Sequence, residues 1–458
     1  MQAGREDGRG EGLIAFSAVP RIERLGALLF AVALVAALTG CPKKIEQAPD
    51  PAADASSAAP SSSSASSASS AALASVASAA HGKELVLKYE CNRCHEASGH
   101  PDAVQGKNCV HCHKDIMEGR FSASAASIAR WKPRVKELAD APSLEATGKR
   151  FKRSWVEDYL LQPTDLRPHL QQFMPRLAIS AADAHDIATY LVPDADRSAT
   201  EDTSDVAKAP EIAGADLGKG RQLLETKGCG SCHVMTGVIA LPSSNPPAMD
   251  GRAFERAHRL APDLANARVR MPPSRLVAWL RDPTAVKHDS AMPKIALSDS
   301  EIRDIAGYVL TAELGSVPAK PRVARLPLLT RKVTFKEVDE KVFHRTCWHC
   351  HSEPDYAIGD GGPGNSGGFG FKPRGLNLSA YEGIAAGFVD DKNERQSVFA
   401  KDGDGVPRLV RAMLARHDEV DGARVADSDV RGMPLGYDPL PLEEIQLVDT
   451  WIAQGRPR

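Results

Sequence analysis

The sequence predicts an all-α chain with three tandem helical domains, and three observations support that prediction. Apolar residues recur at helical spacing behind serine and acidic capping residues, no stretch alternates as a strand would, and one long block of motifs occurs twice. At 458 residues the chain is too long for one small domain and suits three of ordinary size. A formal net charge of -2, with 25% charged residues, leaves no global basic field and excludes nucleic acid as a partner on charge grounds. Aromatic residues are only 5% of the chain, so domains this size need another source of apolar core.

The N-terminus reads as an export signal. Arg21 and Arg24 precede an uncharged run from Leu25 to Leu38, too short to span a bilayer stably. That run ends in Leu38-Thr39-Gly40-Cys41, which resembles the lipobox of bacterial lipoproteins. The resemblance implies that residues 1–40 are a signal peptide, that cleavage falls before Cys41 and that its sulfur is acylated. The chain would then sit in the cell envelope, lipid-anchored, with its domains in the periplasm or at the outer surface. Pro42 replaces the Asp that retains such lipoproteins at the inner membrane, which favours the outer membrane. Residues 41–80 collapse to Ser, Ala and Pro and cannot bury enough apolar surface to order, so they are expected to be a disordered tether. Its r.m.s. span is about 35 Å. No later segment is apolar enough to span a membrane.

One pattern occurs four times: Cys91-Asn92-Arg93-Cys94-His95, Cys109-Val110-His111-Cys112-His113, Cys229-Gly230-Ser231-Cys232-His233 and Cys347-Trp348-His349-Cys350-His351. C-x-x-C-H is the attachment signature of c-type haem. The two thiols bond the porphyrin's vinyl positions, and His95, His113, His233 or His351 supplies an axial iron ligand. Four copies imply four covalent haems c. Of nine cysteines, the eight in the motifs leave Cys41 alone, so no pair remains for a disulfide. A zinc ribbon would pair two C-x-x-C knuckles without demanding a His after each. A covalently held porphyrin also gives each domain a large flat apolar body to wrap.

The predicted domains run over residues 81–196, 213–317 and 334–458, and the first carries two attachment motifs. Ser198 to Ala209 reads as one linker, and Pro318-Ala319-Lys320-Pro321-Arg322 begins another, stiffened by proline. The first two domains align internally. Gly82 and Gly220 each precede a motif by nine residues, and Pro142-Ser143-Leu144 matches Pro262-Asp263-Leu264. Ser154 matches Ser274, Tyr159 matches Trp279, Pro163 matches Pro283, and Met174-Pro175 matches Met292-Pro293. Six residues past each Met, Ser180 and Ser298 open helices, the latter in the capping box Ser298-Asp299-Ser300-Glu301. Tyr190 and Tyr308 fall at one place on these final helices.

This order of helix, C-x-x-C-H, Pro-x-Leu loop, helix ending in Pro, Met-Pro turn and terminal helix resembles the class I cytochrome c domain. The resemblance covers nearly all of the first two domains. It implies that Met174 and Met292 are sixth iron ligands, which suits soft thioether sulfur on low-spin iron. Met271-Pro272 is a second Met-Pro but stands out of register with Met174. The third domain is a cousin, similar to a cytochrome c subfamily in larger exported bacterial proteins. Met433-Pro434 and a final helix reaching Trp451 repeat the ending, making Met433 the expected ligand over Met413. Gly375 to Gly383 replaces the Pro-x-Leu segment, and Gly359 to Gly370 reads as a mobile surface loop.

The first domain has two motifs but one well-placed Met. The helix from Gly82 argues that Met174 serves the iron of His95, whereas loop lengths match better for His113. The helix carries more weight, because it must deliver the first motif's cysteines. The other haem then needs His81, His100, His169, His185 or Met117, or keeps an open position. His111 and His349, inside attachment loops, are poorly aimed at their own irons. Two functions follow: a membrane-anchored relay passing electrons between unidentified redox partner proteins, or a peroxidase- or reductase-like enzyme using the odd haem. No catalytic residue can be singled out.

Overall fold

The computed structural model describes residues 78–104, 107–171, 173–196, 206–318, 321–353, 373–420 and 430–458. The expected signal peptide, Cys41, the tether as far as residue 77, much of the first linker and the Gly359–Gly370 loop lie outside them. The class is all-α. The first stretch forms α1 (Ala79–Lys88), α2 (Cys109–Glu118), α3 (Ala125–Val135), α4 (Arg153–Leu161) and α5 (Ala181–Leu191). The second forms α6 (Leu217–Thr226), α7 (Gly251–Leu260), α8 (Ala267–Arg270), α9 (Pro273–Arg281), α10 (Pro283–Val286) and α11 (Asp299–Thr311). The third begins with α12 (Phe335–Val338), which continues as a π-helical segment, Asp339–Cys347. It goes on through α13 (Tyr381–Ala386), α14 (Arg408–Val420) and α15 (Leu442–Ala453). A two-stranded ribbon, β1 (Phe388–Val389) against β2 (Arg395–Gln396), is antiparallel.

Local chemistry starts these helices where the sequence expects. The Ser298 hydroxyl accepts from the Glu301 N–H at 3.3 Å while Glu301 accepts from the Ser298 N–H at 2.8 Å, completing the capping box. Ser180 caps α5 through the Asp183 N–H at 3.1 Å. Two expected boundaries move. Ser78 caps α1 by accepting from the His81 N–H at 3.1 Å, so the last three tether residues are already cap and first turn. The end of the first expected linker is likewise not free chain, because Ala209 is 3% exposed and packs with Leu224, Ile305 and Val309.

In each of the first two stretches the helix before the motif crosses the terminal helix: α1 packs on α5, and α6 on α11. Gly82 and Gly220 sit at these crossings. A Cβ on Gly82 would collide with the Asp186 carbonyl, and one on Gly220 with that of Asp304. Backbone approaches this close tolerate only glycine. Leu85, Val86, Ile187 and Ala188 fill one crossing, and Leu223, Leu224, Ile305 and Val309 the other. The third core gathers around fully buried Trp451, whose ring meets Phe343, Tyr381 and Phe399 edge-on. An extended strap crosses this core: the N–H groups of Val323, Leu329 and Val333 donate to Asp418, Thr450 and Gln454 at 2.8, 3.0 and 2.9 Å.

Polar contacts join the stretches. The Lys152 N–H donates to the Arg270 carbonyl and the Asp263 N–H to the Leu166 carbonyl, both at 2.8 Å. Arg374 donates to the carbonyls of Arg176 and Leu177 at 2.9 and 3.2 Å. Arg416, 1% exposed, donates to the Gln171 side chain at 2.5 Å. Gly82→Val and Gly220→Val are each expected to cost about 1–3 kcal/mol by overpacking. Gly403→Ala, where an added Cβ meets nothing within 4 Å, should stay within about 0.5 kcal/mol. Denaturant midpoints of the three variants check both figures.

Candidate cofactor site

Three of the four motifs hang from the end of a helix. After α1 the chain turns through Glu90, φ 53°, into a 3₁₀ turn at Cys91–Arg93. After α6 it turns through Gly228, φ 76°, into the same turn at Cys229–Ser231. In both, and at the end of the π-helical segment, the motif His N–H donates to the first Cys carbonyl at 2.9 Å. The second motif instead opens α2, capped by Asn108, whose side chain accepts from the His111 N–H at 2.9 Å.

All four motif histidines are fixed by one device. The Nδ1 of His95 faces the Pro142 carbonyl at 2.7 Å and that of His233 the Pro262 carbonyl at 2.8 Å. For His351 the partner is Leu376 at 3.2 Å, and for His113 it is Leu138 at 3.4 Å. Such a bond sets the tautomer and leaves Nε2 as the nitrogen able to accept, the arrangement in which an imidazole can bind a metal. A second rung steadies the acceptor strand in three cases. The N–H of Leu144 donates to Glu96 at 3.0 Å, that of Leu264 to Val234 at 2.9 Å and that of Leu378 to His351 at 2.7 Å. The Pro-x-Leu repeat is thus a hydrogen-bonding template, and Leu376-Asn377-Leu378 performs its role in the third stretch. Burial pushes all four imidazoles below their ordinary range, His113 to about 3, so each is neutral and able to bind a metal.

The thiols are unpaired as disulfides among the described residues. Burial pushes those of Cys91, Cys112 and Cys229 up to about 11 and those of Cys347 and Cys350 up to about 12. Among the described residues no three motif cysteines and histidines bring ligating atoms within 4.8 Å of one another, so they form no zinc cage.

One cavity of about 410 Å³ takes in two of the four sets. Cys91, Cys94, His95 and Met174 line it together with Cys229, Cys232, His233 and Met292. Met174 therefore shares its space with His95, whereas Cys109, Cys112 and His113 do not line this cavity. The Met292 sulfur accepts a hydrogen bond from the Trp279 indole N–H at 3.0 Å. Tyr159, the equivalent of Trp279 in the repeat, lines the same cavity. Met271 reaches the wall but is buried in the α6–α11 core, as its out-of-register position suggests. In the third stretch the Met433 N–H donates to the Ala412 carbonyl at 2.8 Å, docking the Met-Pro turn on α14, and Met413 is core, 2% exposed.

Among the cations on the cavity wall are three arginines that sequence reasoning did not single out: Arg150, Arg167 and Arg270. Burial pulls all three guanidiniums down, Arg150 to about 10 and Arg270 to about 9. Arg270 lies over the rings of Phe151 and Trp155 at 5.0 and 5.3 Å, and its buried Nε has no hydrogen-bond partner. An apolar cavity with imidazoles, thioethers and guanidiniums on its wall fits a flat apolar cofactor with iron at its centre and carboxylates at its rim. Nothing in the chain's pattern distinguishes these arginines from surface ones.

The first, second and fourth motifs converge. The Cys94 and Cys109 thiols are within hydrogen-bonding reach, and Cys350 is close enough to act electrostatically on Cys94. Arg93, 3% exposed, sits among them, its Nε donating to the Lys107 carbonyl at 3.0 Å. Four expected substitutes for a missing ligand make contacts of their own. His81 pairs with Asp186 at 2.7 Å and His185 with Glu157 at 2.8 Å, His100 bonds the Lys83 carbonyl at 2.6 Å, and His169 stacks on His258. Compared with known protein families, curated proteins and solved structures, the chain matches none of them.

Proposed function

We propose that this protein is a tetrahaem c-type cytochrome built from three cytochrome c-like domains, lipid-anchored through Cys41 in the bacterial cell envelope, and that it carries electrons between redox partner proteins. The observation that carries the reading is the fourfold clamp: beside each thiol pair stands a neutral imidazole whose Nδ1 is held by a main-chain carbonyl. Bound haem would supply reversible one-electron exchange at iron.

The chain's own residues serve this role by holding still. Each Cys pair would hold one haem, and His95, His113, His233 and His351 would bind its iron. Met174 and Met292 present thioether sulfur from across a shared cavity, and Met433 takes the same role in the third domain. Iron held by both a histidine and a methionine would have no place for a substrate, which favours a carrier over an enzyme. The guanidiniums of Arg150, Arg167 and Arg270 provide positive charge for the cofactor's carboxylates. The shared cavity lined by His95 and His233 brings two centres together, and the contact of the Cys94, Cys109 and Cys350 turns brings three.

Mass spectrometry of the exported protein should find four haem adducts, with the eight motif thiols closed to alkylation after denaturation. A chain without those adducts would remove the basis of the reading. After reduction all sites should be low-spin, with CO binding at most one per chain; binding at two or more would refute the His/Met assignments. Trp279→Phe removes the hydrogen bond to the Met292 sulfur. A sulfur relieved of that bond donates more strongly to oxidised iron, so the potential of that haem alone should fall, by tens of millivolts in order of magnitude, in a spectropotentiometric titration.

A further inference from the structure

The motif at Cys109 stands outside the cavity that Met174 shares with His95. Its histidine, His113, is buried at 6% exposure, and its Nδ1 is turned toward the Leu138 carbonyl. Beside the ring stands His349, from inside the fourth attachment motif. The two ring centroids are 6.0 Å apart and the planes are inclined by 27°.

Among the histidine ring pairs, His169 and His258 at 3.9 Å and His344 and Trp348 at 3.8 Å are in direct contact, whereas Phe254 and His258 at 6.2 Å and the two imidazoles of His113 and His349 at 6.0 Å stand apart. Two imidazoles bonded through nitrogen to opposite sides of one metal, each at about 2.0–2.1 Å, have centroids about 6.3 Å apart. The 6.0 Å between the His113 and His349 centroids lies within a few tenths of an ångström of that figure.

The competitors are poorly placed. Met117 follows His113 by four residues on α2, so it shares that histidine's side of the helix and cannot reach the opposite face. His111 is exposed, His100 bonds the Lys83 carbonyl through Nε2, His169 is stacked on His258, and His81 and His185 bond Asp186 of α5 and Glu157 of α4. The placement of His349 follows from its own motif. The Trp348 indole N–H donates to the Leu378 carbonyl at 3.0 Å, seating that ring in the third core, and Cys350 lies close enough to Cys94 and Cys109 to act on them electrostatically.

We infer that His349 is the sixth ligand of the iron held by Cys109, Cys112 and His113, making this a bis-histidine centre completed by the third domain. The inference rests on the tetrahaem reading. It closes the position where an enzyme would bind substrate, and it gives this centre a lower potential than the His/Met centres. It also joins two centres through the chain, because His349 and the thioether-forming Cys350 are adjacent residues.

The test uses the full-length haem-loaded protein and the variants His349→Ala and His349→Met. Near-infrared magnetic circular dichroism of the oxidised wild type should show one bis-histidine and three His/Met signatures, and the reduced wild type should bind no CO. His349→Ala should lose the bis-histidine signature and bind one CO per chain, leaving the other three centres unchanged. His349→Met should replace that signature with a fourth His/Met one. A wild type with four haems and no bis-histidine signature would overturn the inference whether or not the variants fold. So would a bis-histidine signature that survives His349→Ala. Fewer than four haems on the wild type would instead defeat the tetrahaem reading itself, and the mass of the protein separates the two failures.

Discussion

The hydrogen bond from each motif histidine to a main-chain carbonyl is the constraint on which the rest of the structure depends. An imidazole on a short turn is free to spin about its side-chain bonds, and a spinning ring presents no fixed ligand. Here each ring is held by a carbonyl 25 to 47 residues downstream, so each loop must return and deliver that oxygen at the right height. Proline at two of the four acceptor positions suits this duty, because its ring fixes φ and it offers a carbonyl without a competing N–H. The second rung, from the leucine two residues on, holds the returning strand against the motif and makes the loop part of the site.

Two helix crossings carry this arrangement. The motif turn leaves the C-terminal end of α1 or α6 and the Met-Pro turn leads to the N-terminal end of α5 or α11, and these ends meet, with Tyr89 bonding Asp183 at 2.6 Å and Lys227 pairing with Glu301 at 2.9 Å. Gly82 and Gly220 let those helices approach until backbone meets backbone, which is why the glycine recurs nine residues before each motif. The two cavities so formed open into one, since Lys152, Leu166 and Arg167 of the first stretch hydrogen-bond directly to the carbonyl or N–H groups of Arg270, Asp263 and Leu260.

Charge is distributed against the usual rule for a buried wall. Arg150, Arg167 and Arg270 face a cavity lined largely by apolar side chains, and burial lowers the pKa of each. Aromatic faces under Arg150 and Arg270 recover part of the lost hydration, with Phe151 at 4.5 and 5.0 Å from the two guanidiniums. Cations placed on an apolar wall remain costly to bury even so.

Much was legible from local chemistry. Motif thiols and histidines, helix caps and the all-α class depend on residues a few positions apart, and Ser298, Glu301 and Ser180 do what their spacing predicts. The equivalence of Pro142 with Pro262 was visible, but its purpose as a carbonyl donor to the clamp was not. Several relations were settled only by tertiary structure. Met174 shares a cavity with His95 and not with His113, Arg270 is buried where surface exposure would be ordinary, and His349 lies beside His113 from a different part of the chain. These depend on how far-separated segments dock, and no periodicity, cap or short motif encodes which side chain a returning loop will face.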